Sequence, residues 1–168
     1  MSYNTIDDFR GEISDDVILQ LCDDSNSGLT VDMIVLALNN GNLSSLTSAQ
    51  VTAAGIAAGN ITKAITRGDG EVDGYCGKRY QVPFDPLPDF VKSLALDLAI
   101  YTLFSRRENV PENRKMRRDN AVKNLEGLAK GIITLGLQDP QPNETFTSAT
   151  PEIVSGGRIF KRDTMRGY

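Results

Sequence analysis

Three adjacent aspartate pairs, Asp7 with Asp8, Asp15 with Asp16, and Asp23 with Asp24, are the first side chains whose spacing suggests chemistry. Two converging carboxylates can divide the work of a general acid and a general base. On a helix, however, sequence neighbours do not face each other, so an adjacent pair does not converge on one substrate atom. Each pair lies in or beside a helix-start signal, where the helix dipole favours acids. The chain has no histidine, which removes the commonest general base and the commonest metal ligand. Ser14, Thr30 and Ser93 have no base nearby to activate them. The loop from Asp23 to Gly28 lacks the alternating ligands and closing glutamate of a calcium loop, and reads as a solvated turn. Cys22 and Cys76 form no Cys-x-x-Cys pair and read as free, buried thiols rather than a disulfide. Arg67-Gly68-Asp69 spells an adhesion tripeptide, but three residues carry no weight without a secretion signal. No glycine-rich loop joins a strand to a helix. The expectation is a protein that is not an enzyme and holds neither metal nor cofactor.

The other notable chemistry is that of binding. Residues 157–168 carry Arg158, Lys161, Arg162 and Arg166 against one acid, Asp163, with Ile159, Phe160, Met165 and Tyr168 between them. Aromatics and arginines dominate the energy of interfaces, whereas exposed tails are ordinarily small and polar. Docking on another subunit and folding back as a strap on the chain's own domain both fit this composition.

These residues depend on a body that the totals bound. At 168 residues the chain is one domain, or one domain plus an arm. Hydrophobic residues make up 40%, enough for a modest core, and none of the apolar runs reaches the ~18 residues of a membrane span. The first eight residues lack the basic start and apolar stretch of a signal peptide, so the protein is expected to be made and used in a cytoplasm. The net charge of −4 is unevenly spread. Before Lys63 the only base is Arg10, against Asp7, Asp8, Glu12, Asp15, Asp16, Asp23, Asp24 and Asp32. Such asymmetry points to charged interfaces and away from wrapping nucleic acid, which needs a basic footprint.

Cap and periodicity signals predict an all-α fold, a small bundle of about four to five helices with an extended C-terminal arm. Thr5, Ser14 and Thr30 cap short early helices. Thr47 or Ser48 caps a longer one, in which Ala49, Ala53, Ile56, Ala57, Asn60, Ile61, Ala64, Ile65 and Val72 form an inward stripe. Gly55, Gly59, Gly68 and Gly70 weaken it by about 1 kcal/mol each relative to alanine. Residues 75–88 form a proline-rich reversal. Asp89 then caps a helix to Arg106, where Val91, Leu94, Leu98 and Tyr101, widened by Ala95, Ala99 and Leu103, predict the most buried element. From Pro111 a last helix turns Met116, Ala121, Leu125, Leu128, Ala129 and Ile132 inward. Its bases Arg114, Lys115, Arg117, Arg118, Lys123 and Lys130 read as a solvated outer face. The division expected is a body over residues 1–137, then a linker and docking arm over residues 138–168, with Glu152-Ile153-Val154 a short strand.

Three segments together resemble the Mu-like neck-protein family of tailed bacteriophages. They are Tyr3-Asn4-Thr5-Ile6-Asp7-Asp8-Phe9; Glu71-Val72-Asp73-Gly74-Tyr75 followed by Lys78-Arg79-Tyr80 and Val82-Pro83; and the closing residues 157–168. The resemblance implies a helical head–tail connector (adaptor) subunit of the virion. Its neighbouring copies would form a ring, about twelve in closed symmetry. Its other partners would be the portal protein and the next neck or tail-terminator protein, with DNA crossing the lumen unbound and no membrane involved. Assembly would take place in the host bacterial cytoplasm. The docking residues expected are Arg158, Ile159, Phe160, Arg162, Asp163, Met165, Arg166 and Tyr168. Two other readings stand beside it: a stopper (head-completion) ring further down the neck, and a small nucleic-acid-binding module using Arg114 to Arg118.

Overall fold

The computed structural model describes residues 2–25 and 27–137. Across these residues the chain is helical, with no strand: α1 (Ile6–Glu12), α2 (Asp15–Cys22), α3 (Val31–Leu38), α4 (Ser48–Cys76), α5 (Asp89–Ser105) and α6 (Glu112–Lys130). Six helices stand where a bundle of about four to five was expected, the three short early ones being those that Thr5, Ser14 and Thr30 announce. The expected linker and arm, with the strand at 152–154, lie outside the described residues.

The helix starts follow local cap chemistry. Thr5, Ser14, Thr30 and Thr47 are N-caps. At α4 the Gln50 N–H donates to Thr47 Oγ1 over 3.3 Å while the Thr47 N–H donates to Gln50 Oε1 over 3.1 Å, a reciprocal capping box. Asp89 proves to be the first residue of α5 rather than its cap, which is Pro88. Proline suits such a position because its missing N–H would have no helical partner there. α6 ends where Gly131 turns left-handed at φ 74°, a conformation that glycine adopts without a Cβ penalty.

α4 and α5 form the spine, packed along their largest shared interface. α4 runs unbroken for 29 residues, about 43 Å at the helical rise, despite its glycines. Gly68 has a packing reason: a Cβ there would lie 2.7 Å from the Ala95 carbonyl oxygen and 3.1 Å from the Ala99 nitrogen. The missing side chain lets the two backbones approach, and the buried Ala64, Ala95 and Ala99 keep the seam narrow.

Two clusters fill the interior. One gathers α1, α2 and α3 over the first half of α4 and the end of α5, around Phe9, Ile18, Ile34, Ile61 and Ile100. The other joins Tyr3, the end of α4, the start of α5 and α6, around Val72, Val91, Leu98, Leu125 and Leu128. α4 and α5 run through both clusters, and on α5 Val91, Leu94, Ala95, Leu98, Ala99, Ile100 and Leu103 are all buried.

Four apolar side chains depart from the inward stripes, the first being Ala49, exposed in the opening turn of α4. Ile56 is 50% exposed, Met116 60% and Ile132 79%. Ile56 faces away because Ala53, Ala54, Ala57 and Ala58 take the contacts with the bundle. Met116 lies in the opening turns of α6, where the buried residues begin only at Ala121. Ile132 lies past the end of α6 and yields the inward place to Ile133. Cys22 and Cys76 are buried and unpaired, and burial pushes their thiols up to about 12 and about 11.

Candidate functional site

The first two resemblance segments meet in one place, and there they build structure. Tyr3 lies against the end of α4. Its hydroxyl donates to Asp73 Oδ1 and accepts from the Phe84 N–H over 3.2 Å, and its own N–H donates to Asp69 Oδ2 over 3.1 Å. The Tyr3 and Tyr80 rings pack against Phe84 at 6.2 and 6.0 Å between centroids. Tyr80 Oη accepts from the Leu135 N–H over 3.3 Å, so the turn after α4 holds the segment leaving α6. The peptide bonds Val82–Pro83 and Asp85–Pro86 in this turn are cis. Burial, reinforced by Asp73, raises the Tyr3 hydroxyl far above its ordinary value. Burial likewise raises Asp69. This knot anchors the N-terminal segment, the proline turn and the exit from α6 to one another.

The uneven charge of the sequence resolves into long-range ion pairs. Arg106 clasps Asp24 with both nitrogens, at 2.9 and 2.7 Å, and donates to the Leu21 carbonyl at 2.7 Å. Arg107 reaches the same carboxylate at 2.9 Å. Arg10 holds Asp15 and Asp32, each at 2.8 Å, and Lys92 holds Asp8 at 2.6 Å. Arg117 bridges Glu12 at 2.7 Å and Asp97 at 2.8 Å. Arg114 donates to the Glu12 carbonyl at 3.1 Å, with its side chain only 12% exposed. Arg118 lies 5.3 Å from the centre of the Tyr101 ring.

The arginines of α6 are therefore not the solvated face expected from the sequence. Arg114, Arg117 and Arg118 turn onto the body because their carboxylate and aromatic partners lie on α1, α4 and α5. The Arg117 hydrogen bond, with the charge of Arg114 behind it, holds Glu12 below the usual carboxylate range, as Arg106 does for Asp24 and Arg10 for Asp15. Asp97 is shifted the other way, because burial outweighs the pull of Arg117. Of the three aspartate pairs, Asp8, Asp15 and Asp24 are engaged by bases, while Asp7 and Asp16 are exposed on the first turns of α1 and α2. Carboxylates pinned by arginine make poor proton acceptors, and no pair converges. Among the described residues no cluster of His, Cys, Asp or Glu could hold a metal, and no helix is long and apolar enough to cross a membrane.

What remains open is surface. A groove of about 570 Å³ lies between α4 and α5, lined by Asn60, Lys63, Thr66, Arg67, Thr102 and Arg106 among others. A second cavity of about 660 Å³ lies where α2 meets the end of α5, around Leu19, Asp24, Leu29, Phe104 and Arg107. Lys63 was not singled out from sequence, and Arg67 only within the Arg67-Gly68-Asp69 tripeptide, although their spacing of four was a usable signal. The expected docking residues Arg158, Ile159, Phe160, Arg162, Asp163, Met165, Arg166 and Tyr168 all lie outside the described residues.

Residues 3–152 match the family described as Bacteriophage Mu, Gp36. The chain belongs to this family. The matched span takes in the Tyr3 knot and all six helices and stops before the basic-aromatic segment 157–168. A relative, the Mu-like prophage FluMu protein gp36 of Haemophilus influenzae (strain ATCC 51907 / DSM 11121 / KW20 / Rd), is 26% identical over 109 residues, 64% of this chain and 74% of that protein. No solved structure matches. The resemblance to a Mu-like phage family read from three segments, the closing residues 157–168 among them, is thus borne out, and two of the three fall inside the matched residues.

Proposed function

We propose that this chain is a structural protein of a tailed-phage virion. In this reading it is a head–tail connector (adaptor) that assembles as a ring, docks on the portal and forms part of the DNA conduit at the neck. The observation that carries the reading is membership in the Mu Gp36 family by a body whose carboxylates are tied by arginines instead of converging on a substrate site. A rigid body of this kind suits a building block, and the reading includes no catalytic activity. Net negative charge weakens retention of DNA, which suits a conduit. The alternative of a nucleic-acid-binding module loses support, because Arg114, Arg117 and Arg118 are engaged within the body. A stopper ring further down the neck is the second reading, and it differs in position only.

The basic-aromatic residues 157–168 are assigned to the portal. Phe160, Met165 and Tyr168 serve as apolar anchors, and Arg158, Arg162 and Arg166 pair with acids or carbonyl oxygens of the partner. Gold labelling of an epitope-tagged copy in intact particles tests the location. Label between head and tail is expected. Label on the capsid faces or along the tail, or none in purified particles, would overturn the reading.

A further inference from the structure

Every base in the ties described above is neutralised within the body, but two on α4 are not. Lys63 and Arg67 are exposed and enter no ion pair or hydrogen bond among the described residues. They lie one helical turn apart and line the α4–α5 groove of about 570 Å³. The same side of α4 continues toward its start as Gly59, Ile56, Gly55 and Thr52, at spacings of three and four. Nothing lies within 4 Å of where a Cβ would stand on Gly55 or Gly59, so a partner can approach the helix backbone closely there. Ile56, half exposed, supplies an apolar contact. This face is basic, grooved and partly apolar.

A complementary surface lies on the same chain. The first turns of α1 and α5 lie side by side, joined by the Asp8–Lys92 pair and by the Asn4 amide donating to the Lys92 carbonyl over 3.2 Å. This end carries Asp7, Asp85 and Asp89, all exposed and without partners among the described residues. Beside them Phe90 is 41% exposed, the kind of aromatic that anchors interfaces. One surface thus has two free cations, an exposed isoleucine and an open backbone. The other has three free carboxylates and an exposed phenylalanine.

From this complementarity we infer that a second copy of this chain docks its acidic, Phe90-bearing end onto the α4 face of Gly55, Ile56, Gly59, Lys63 and Arg67. The two surfaces differ, so the contact is head-to-tail, the kind that builds a ring when its rotation closes and an open filament when it does not. The inference rests on the connector reading and names the contact that would build its ring. Phe90 meets the glycine-lined stretch beside Ile56, and Asp89 and Asp7 face Lys63 and Arg67. The charges set direction and exclude the reverse pairing, in which like charges would meet.

The test is crosslinking of the full-length chain carrying both Ile56→Cys and Phe90→Cys, treated with a short bis-maleimide, with native mass measured in parallel, alone and with portal protein. Both positions are exposed on helices, and the native Cys22 and Cys76 are buried. Circular dichroism checks that the variant is folded. The expected result is a ladder of covalent multimers running past the dimer, absent from either single variant. Lys63→Glu with Arg67→Glu should abolish the ladder, and adding Asp7→Lys with Asp89→Lys should restore it. A ladder that stops at dimer overturns the inference, as does a ring mass without any ladder; the connector reading survives both outcomes. Monomers alone and with portal would sink inference and reading together. If Lys63→Glu with Arg67→Glu leaves the ladder intact and instead abolishes binding of duplex DNA, the face belongs to DNA and the inference is wrong.

Discussion

Deleting residues 156–168 leaves the helical body folded and abolishes the joining of heads to tails. The fold half of this expectation follows from the core, since the described members of both apolar clusters all come from residues 3–135. The functional half follows from composition. Burying one large apolar side chain is worth roughly 1.5–3 kcal/mol, and Phe160, Met165 and Tyr168 offer three such anchors per copy. In a ring the gain repeats, so weak docking of one arm becomes firm attachment when several engage together. The truncated protein should keep its helical circular dichroism and its melting transition, and infected cells should accumulate filled heads without tails. If the truncated chain unfolds, residues 157–168 are an internal strap. Normal yields of tailed particles would remove the docking role.

Leu98→Ala is expected to cost about 2–5 kcal/mol of stability, the range for emptying a leucine site in a packed core. Leu98 is 1% exposed and shares its cluster with Val72, Val91, Leu94, Leu125 and Leu128. These side chains come from three helices, α4, α5 and α6, so a cavity there loosens the spine and its cover together. Denaturant unfolding followed by circular dichroism measures the loss. A change below about 0.5 kcal/mol is what surface substitutions give and would mean that the α5 core is misplaced.

Much of this fold was legible because its signals are local. Thr5, Ser14, Thr30 and Thr47 announce their helices through cap chemistry spanning three residues, and α5 announces itself by apolar breadth. The course of α4 was harder to read. Gly68 looks like a weak point until Ala95 and Ala99 are seen against it, and no local rule contains that contact. Ile56 was misassigned inward because an alanine-rich helix buries small residues and leaves its hydrophobic period shallow. The basic side of α6 was misread for a related reason. The partners of Arg114 and Arg117 on α1 lie 102 to 105 residues away in sequence, so no periodicity within α6 could reveal them.

The candidate site divides the same way. The motif residues Tyr3, Asp73 and Tyr80 were visible as a resemblance, yet their hydrogen bonds assign them to an internal knot. The groove with Lys63 and Arg67 escaped notice because two bases four apart are common on any helix. What sets them apart is that they line the α4–α5 groove and enter no ion pair among the described residues, which only the packing of the helices decides.

The central claim is that this protein is a ring joined to the portal, and the mass of the full-length chain co-assembled with its portal protein tests it most directly. A single complex is predicted, containing the portal oligomer plus a whole ring of this chain, and lost when residues 156–168 are removed. Portal and chain travelling as separate species at concentrations that support particle assembly would contradict the account.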